Sequence, residues 1–123
     1  MGQKILMIDD EPDFTELIST LLQFHQFSVD AYNDPKEIVE KINQENYDLV
    51  ICDLMMDGID GFEICQRFRK MERYKDTPFI VLSGKTLTDE ERKLLLELKV
   101  HFVPKPFEPN KLVEKVRKLL VKS

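Results

Sequence analysis

The chain has 123 residues, 42% apolar and 33% charged, the balance of one folded domain and not of a disordered segment or of two domains. With 18 basic against 23 acidic residues the net charge is −5 and no basic stripe forms, which argues against unaided binding to nucleic acid or to an anionic membrane. No run approaches the roughly 20 apolar residues of a membrane span, and the opening MGQKILMIDDE meets carboxylates too early for a secretory leader, so a soluble cytoplasmic protein is expected.

Short apolar runs alternate with longer amphipathic ones five times along the chain. The first strand is expected at Ile5–Ile8 and ends at Asp9. Behind Pro12, residues Phe14, Leu17, Ile18, Leu21 and Leu22 recur at helical spacing. A second short strand runs through Val29 to Tyr32. Asp34-Pro35-Lys36-Glu37 then reads as a helix start, with Asp34 as cap, Pro35 in the first turn and Ile38, Val39 and Ile42 on the apolar face. Leu49 to Cys52 is continuously apolar and closes on Asp53, as expected of a strand covered on both faces.

The loop Asp57-Gly58-Ile59-Asp60-Gly61 leads into a helix that carries Ile64, Cys65, Phe68 and Met71. A fourth strand from Pro78 to Leu82 ends at Ser83, and Thr88-Asp89-Glu90-Glu91 has the spacing of a capping box. Val100 to Val103 is the fifth strand, and Pro109 opens a last helix with Leu112, Val113, Val116, Leu119 and Leu120 inward. Alternation of this kind predicts an α/β fold, (βα)5, with a doubly wound five-stranded parallel sheet. Right-handed crossovers favour the order 2-1-3-4-5, which places function at the carboxyl ends of the strands.

Those ends carry the chemistry. Asp9 and Asp10 terminate the first strand, Asp53 the third and Ser83 the fourth, while Lys105 follows the fifth. Three carboxylates brought to one edge repel one another unless a cation joins them. An all-oxygen donor set suits a hard ion such as Mg²⁺, with Mn²⁺ as an alternative. Asp53 could then act as a nucleophile forming an acyl phosphate. Lys105 and the Ser83 hydroxyl would meet the oxygens of the transferring group.

In these pieces (ILMIDDE at 5–11, DLMMDGIDGFE at 53–63, PFIVLSG at 78–84 and FVPKPF at 102–107) the chain resembles the receiver domain of bacterial two-component response regulators. The likeness is to the single-domain, chemotaxis type, and it runs over essentially all of residues 1–123. It implies a flavodoxin-like fold with Asp53 as phosphoacceptor. Asp9, Asp10, Asp53 and the backbone carbonyl of Met55 are then the implied Mg²⁺ ligands. By the same resemblance Ser83 follows the phosphoryl group, Lys105 forms its salt bridge, Lys105–Pro106 is a candidate cis peptide and Phe102 is the switch aromatic. The implied donor is a sensor histidine kinase or a histidine phosphotransfer protein. The implied output runs through the fourth helix, fifth strand and fifth helix, toward an unidentified downstream protein or a phosphorylation-dependent homodimer. The only implied chemistry is Mg²⁺-dependent self-phosphorylation and autodephosphorylation, not turnover of a metabolite.

Departures from the family pattern accompany the match. Asp57 stands where a proline is usual, and Leu98 and Lys99 replace a common glycine and alanine, which questions the tight turn before the fifth strand. Ser83-Gly84-Lys85-Thr86 looks like the end of a nucleotide-binding loop, but Phe79 occupies the position that motif needs as glycine. A flavin phosphate would meet a doubly acidic first turn. Cys52 and Cys65 lack metal-site spacing and read as buried free thiols of a reducing compartment. His25 and His101 read as ordinary boundary residues. A DNA-binding output domain finds no residues here, so the chain is expected to be either a lone receiver whose output passes through a partner or a domain excised from a larger protein. The opposing reading is a receiver-like adaptor that docks without turning over phosphate.

Met55 and Lys85 lie two residues beyond Asp53 and Ser83, positions that flank the phosphoryl group in relatives. A methionine cannot orient an attacking water by hydrogen bonding, so slow self-dephosphorylation is expected. Phosphoryl loss followed by intact mass should extend over minutes or longer, and loss within seconds would contradict it.

Overall fold

Strand β1, Lys4–Ile8, sits second in the sheet, flanked by β2, Ser28–Tyr32, and β3, Leu49–Asp53. The computed structural model describes residues 3–54 and 60–121. Beyond β3, strands β4, Phe79–Ser83, and β5, His101–Pro104, complete a parallel sheet of order β2-β1-β3-β4-β5. Helices α1, Pro12–Phe24, α2, Pro35–Gln44, α3, Gly61–Lys70, α4, Asp89–Glu97, and α5, Pro109–Val121, alternate with the strands. The expected fold class and strand order are those observed. No helix among the described residues is long and apolar enough to cross a membrane.

Period-two alternation divides the strand side chains between two cores. Leu6, Ile8, Val50, Cys52, Phe79 and Val81 face one layer, which is built with Ile38, Ile64, Phe68 and Leu95. Ile5, Met7, Leu49, Ile51, Ile80 and Leu82 face the other, built with Ile18, Leu22, Leu112 and Val116. Every residue of β3 and β4 is buried, as continuous apolar runs in a doubly covered sheet require. Cys52 and Cys65 are buried free thiols, and burial pushes the Cys65 thiol up to about 12.

Local chemistry sets the helix starts. Asp34 accepts from the Lys36 N–H and Asp60 from the Phe62 N–H. Thr88 and Glu91 form both arms of the capping box that opens α4. Two details differ from the sequence pattern. Leu17, placed by its spacing on the apolar stripe, is 59% exposed, because α1 buries the narrower line of Thr15, Ile18 and Leu22. A 3-10 turn at Glu72–Tyr74 follows α3 and plants Tyr74 in the core, its ring edge-on to Phe68 at 5.0 Å. In α4 it is Leu96 that faces outward, 78% exposed.

The turn that Leu98 and Lys99 put in question is kept. The Lys99 N–H donates to the Leu96 carbonyl at 3.1 Å and the Val100 N–H to Leu95 at 3.0 Å, closing a Schellman motif. Lys99 takes the left-handed conformation, φ 58°, that a glycine adopts without strain. Gln26, φ 76°, does the same at the end of α1. Arg69 reinforces the first of these turns. Its guanidinium donates to the carbonyls of Leu98 at 2.7 Å and Lys99 at 3.2 Å, and to those of Tyr74 at 2.8 Å and Thr77 at 2.7 Å. A non-glycine residue in this conformation costs roughly 1–2 kcal/mol. Lys99→Gly should therefore raise stability by about 1 kcal/mol, read as a higher urea midpoint with an unchanged slope.

Candidate functional site

Parallel strands present all their carboxyl ends at one edge, and there the chain places its acidic residues. Asp9 follows β1 directly and is fully buried, Asp10 beside it is half-buried, and Asp53, the last residue of β3, is 5% exposed. Carboxylate oxygens of the three lie within 4.8 Å of one another. Lys105, one residue past β5, sets its ammonium 3.3 Å from Asp9 Oδ2 and 3.7 Å from Asp53 Oδ2. The same ammonium lies 4.3 Å from the centroid of the Phe14 ring. The Lys105–Pro106 peptide bond is cis.

Backbone bonds hold these strand ends in register. The Leu54 N–H donates to the Leu82 carbonyl at 2.9 Å, and the Lys105 N–H to the Ser83 carbonyl at 2.9 Å. Gly61 donates to the Leu54 carbonyl at 3.0 Å, and a Cβ there would stand 2.7 Å from both the Asp53 carbonyl oxygen and the Leu54 Cα. Only a glycine lets α3 start this close to the end of β3.

Ser83 is buried at the end of β4, and its hydroxyl oxygen accepts the Lys85 N–H at 3.0 Å. The Lys85 ammonium turns away toward Glu91 of α4, 2.5 Å distant. Glu91 also accepts the Thr88 N–H at 2.9 Å, so one carboxylate serves both the loop and the helix cap. The Lys85 hydrogen bond, then that of Thr88, holds the Glu91 carboxyl below its ordinary range. Phe102 lies in β5 opposite Val81, partly buried against the core on the α3 and α4 side. Met55 and Asp57 lie outside the described residues.

Two supports of Asp9 are not among the residues singled out from the chain's pattern. Asn33 at the end of β2 donates to the Asp9 carbonyl at 2.9 Å and to the Thr15 hydroxyl at 2.9 Å. Thr15 in turn donates to the Pro12 carbonyl at 2.9 Å. Asn33 shares the strand-end position that singled out the aspartates, and that rule applied to β2 would have found it.

The donor set fits a hard divalent ion. Bonds of about 2.1 Å hold oxygens up to about 4.2 Å apart, so the three carboxylates need close by only a few tenths of an ångström. All three donors are anionic oxygens, the chemistry that Mg²⁺ or Mn²⁺ prefers.

Residues 5–117 match the profile of the response regulator receiver domain. The chain belongs to that family. It is 36% identical over 121 residues to a transcriptional regulatory protein CpxR homolog of Haemophilus influenzae, a match covering 98% of this chain and 51% of that protein. It is 34% identical over 120 residues to the regulatory protein VanR of Enterococcus faecium, covering 95% and 49%. The chain spans about half the length of the curated relatives it matches. Among solved structures, the chemotaxis protein CheY4 of Vibrio cholerae superposes with a TM-score of 0.89 at 26% identity, covering 98% of this chain and all of that one. The receiver's Asp9, Asp10 and Asp53 form the acidic cluster typical of the phosphoacceptor and metal-binding site of response regulators.

Burial pushes the Asp9 carboxyl above its ordinary value of 3.8, and the charge of Asp53 pushes the same way, while the Glu11 N–H and Lys105 oppose them. The native state therefore binds more protons than the unfolded chain between 3.8 and the raised value, and stability falls as pH rises through that window. In metal-free receiver, Asp9→Asn should raise stability at pH 7. The gain should shrink below pH 4, as urea midpoints at several pH values would show.

Proposed function

We propose that this receiver accepts a phosphoryl group on Asp53 from a phosphohistidine, carried by a sensor histidine kinase or a histidine phosphotransfer protein. The observation that carries the reading is the convergence of three carboxylates on one sheet edge with the Lys105 ammonium between two of them. Asp9, Asp10, Asp53 and the Met55 backbone carbonyl would hold Mg²⁺. When bound, that ion supplies positive charge to the oxygens of the transferring group.

An Asp53 carboxylate oxygen attacks phosphorus, the bond from phosphorus to the imidazole nitrogen breaks, and the imidazole leaves with the electron pair. Asp53 has the fixed strand-end position that such an attack requires. Lys105 stabilises the negative charge on the equatorial oxygens, and Ser83 donates its hydroxyl to one of them. Turning Ser83 toward the phosphoryl group draws its hydroxyl from the Lys85 N–H and leaves room for Phe102 to move inward. The result is a population shift on the face formed by α4, β5 and α5. A downstream protein, or a second copy of the chain, reads that face. The receiver unit is taken to occupy residues 1–123. Free buried thiols and a phosphohistidine donor suit a cytoplasmic setting.

Incubation with acetyl phosphate and Mg²⁺ should add one phosphoryl group by intact mass. Asp53→Asn should abolish the gain, and Lys105→Met should slow it by about 10²-fold. A folded protein that gains nothing from this reagent or from a histidine kinase would instead support a phosphorylation-independent adaptor.

A further inference from the structure

Among the described residues the Lys105 ammonium meets two carboxylates and one aromatic ring at the mouth of the cleft. The ring is that of Phe14, whose centroid lies 4.3 Å from the ammonium. Phe14 sits in the first turns of α1, half-buried. Its ring meets that of Phe107 edge-on, centroids 5.9 Å apart and planes at 84°. Phe107 follows Lys105 by two residues, so the aromatic pair ties α1 to the segment that carries the lysine. The rings and Ile18 line an apolar groove of 390 Å³ into which the Lys105 side chain also projects.

The carboxylates that hold Lys105 are the ones a divalent ion would claim. Asp9 and Asp53 each contact the ammonium, and each offers an oxygen to the acidic cluster. Once those oxygens coordinate a hard cation they hold the lysine less strongly, and the cation itself repels it. An aromatic face is a different kind of acceptor. Its quadrupole attracts an ammonium, and a small oxygen-seeking ion does not compete for it. We propose that Phe14 is a positioning residue that keeps the Lys105 ammonium beside Asp53 when the carboxylates are engaged, ready for the oxygens of the incoming phosphoryl group. The Phe107 ring fixes the tilt of Phe14. The inference rests on the reading of Asp53 as phosphoacceptor and assigns to α1 a part in that chemistry.

Two measurements test it. In proton NMR of the metal-free protein, the ε-methylene signals of Lys105 should be shifted upfield by the ring current in wild type and in Phe14→Tyr, and not in Phe14→Leu. Phosphoryl uptake from acetyl phosphate with Mg²⁺ should be about three- to tenfold slower in Phe14→Leu and near wild type in Phe14→Tyr, which keeps a ring face. In a Lys105→Met background, Phe14→Leu should cause no further slowing, because the residue it positions is gone. Equal slowing in both backgrounds would mark Phe14 as packing only and overturn the proposal, as would an unchanged rate in Phe14→Leu or an unshifted Lys105 signal in wild type. A wild-type protein that takes up no phosphoryl group overturns the phosphoacceptor reading and this inference together. Uptake that is indifferent to Phe14 overturns this inference alone.

Discussion

Three carboxylates meeting at the end of a buried sheet oppose folding, and much of the surrounding structure answers that repulsion. Asp9 has no exposure to water, and its ionised form there must be met by other groups. The Glu11 N–H donates to its Oδ1 at 2.9 Å and Lys105 stands 3.3 Å from its Oδ2, while Asn33 fixes its backbone. Asp53 shares the lysine. The cation just past β5 thus bridges the ends of β1 and β3, and one divalent ion would complete the neutralisation. The fold tolerates this local cost because β1, β3 and β4 are packed on both faces, so their ends cannot spread to separate the charges.

Most of this site was legible from residue order. Parallel strands linked by right-handed crossovers send every carboxyl end to one edge, so Asp9, Asp53, Ser83 and Lys105 could be brought together from the ends of apolar runs alone. What escaped is of a different physical kind. Asn33 acts through hydrogen bonds to the Asp9 carbonyl and the Thr15 hydroxyl, both distant in the chain, and no periodicity reports such a bond. Phe14 looked like one more apolar residue of α1, and its contact with a cation across the fold depends on where the segment after β5 returns. Leu17 shows the limit of helical spacing, which marks the direction of a buried face but not its width. Lys99 shows the limit of family comparison. A lysine can hold a left-handed position that suits a glycine when two backbone bonds and Arg69 together outweigh the strain.

The loop after β4 joins two systems that the sequence presents separately. The Ser83 hydroxyl accepts the N–H of Lys85, whose ammonium binds Glu91, whose other oxygen accepts the N–H of the α4 cap residue Thr88. The hydroxyl at the acidic edge and the first turn of α4 are therefore connected by consecutive hydrogen bonds. The capping box seen as a helix-start signal is also the far end of that connection.

The clamp made by Arg69 gives α4 unequal ends. Four carbonyls, two from the turn after α4 and two from the segment before β4, converge on one guanidinium, and burial lowers its pKa without removing its charge. That end is a fulcrum, pinned to α3 and to the base of the sheet. The opposite end rests on a partly exposed ion pair and a two-residue cap, contacts worth far less. A helix mounted this way behaves as a lever arm. Any displacement should then be smallest near Leu96 and Leu98 and greatest at Thr88, beside the loop after β4.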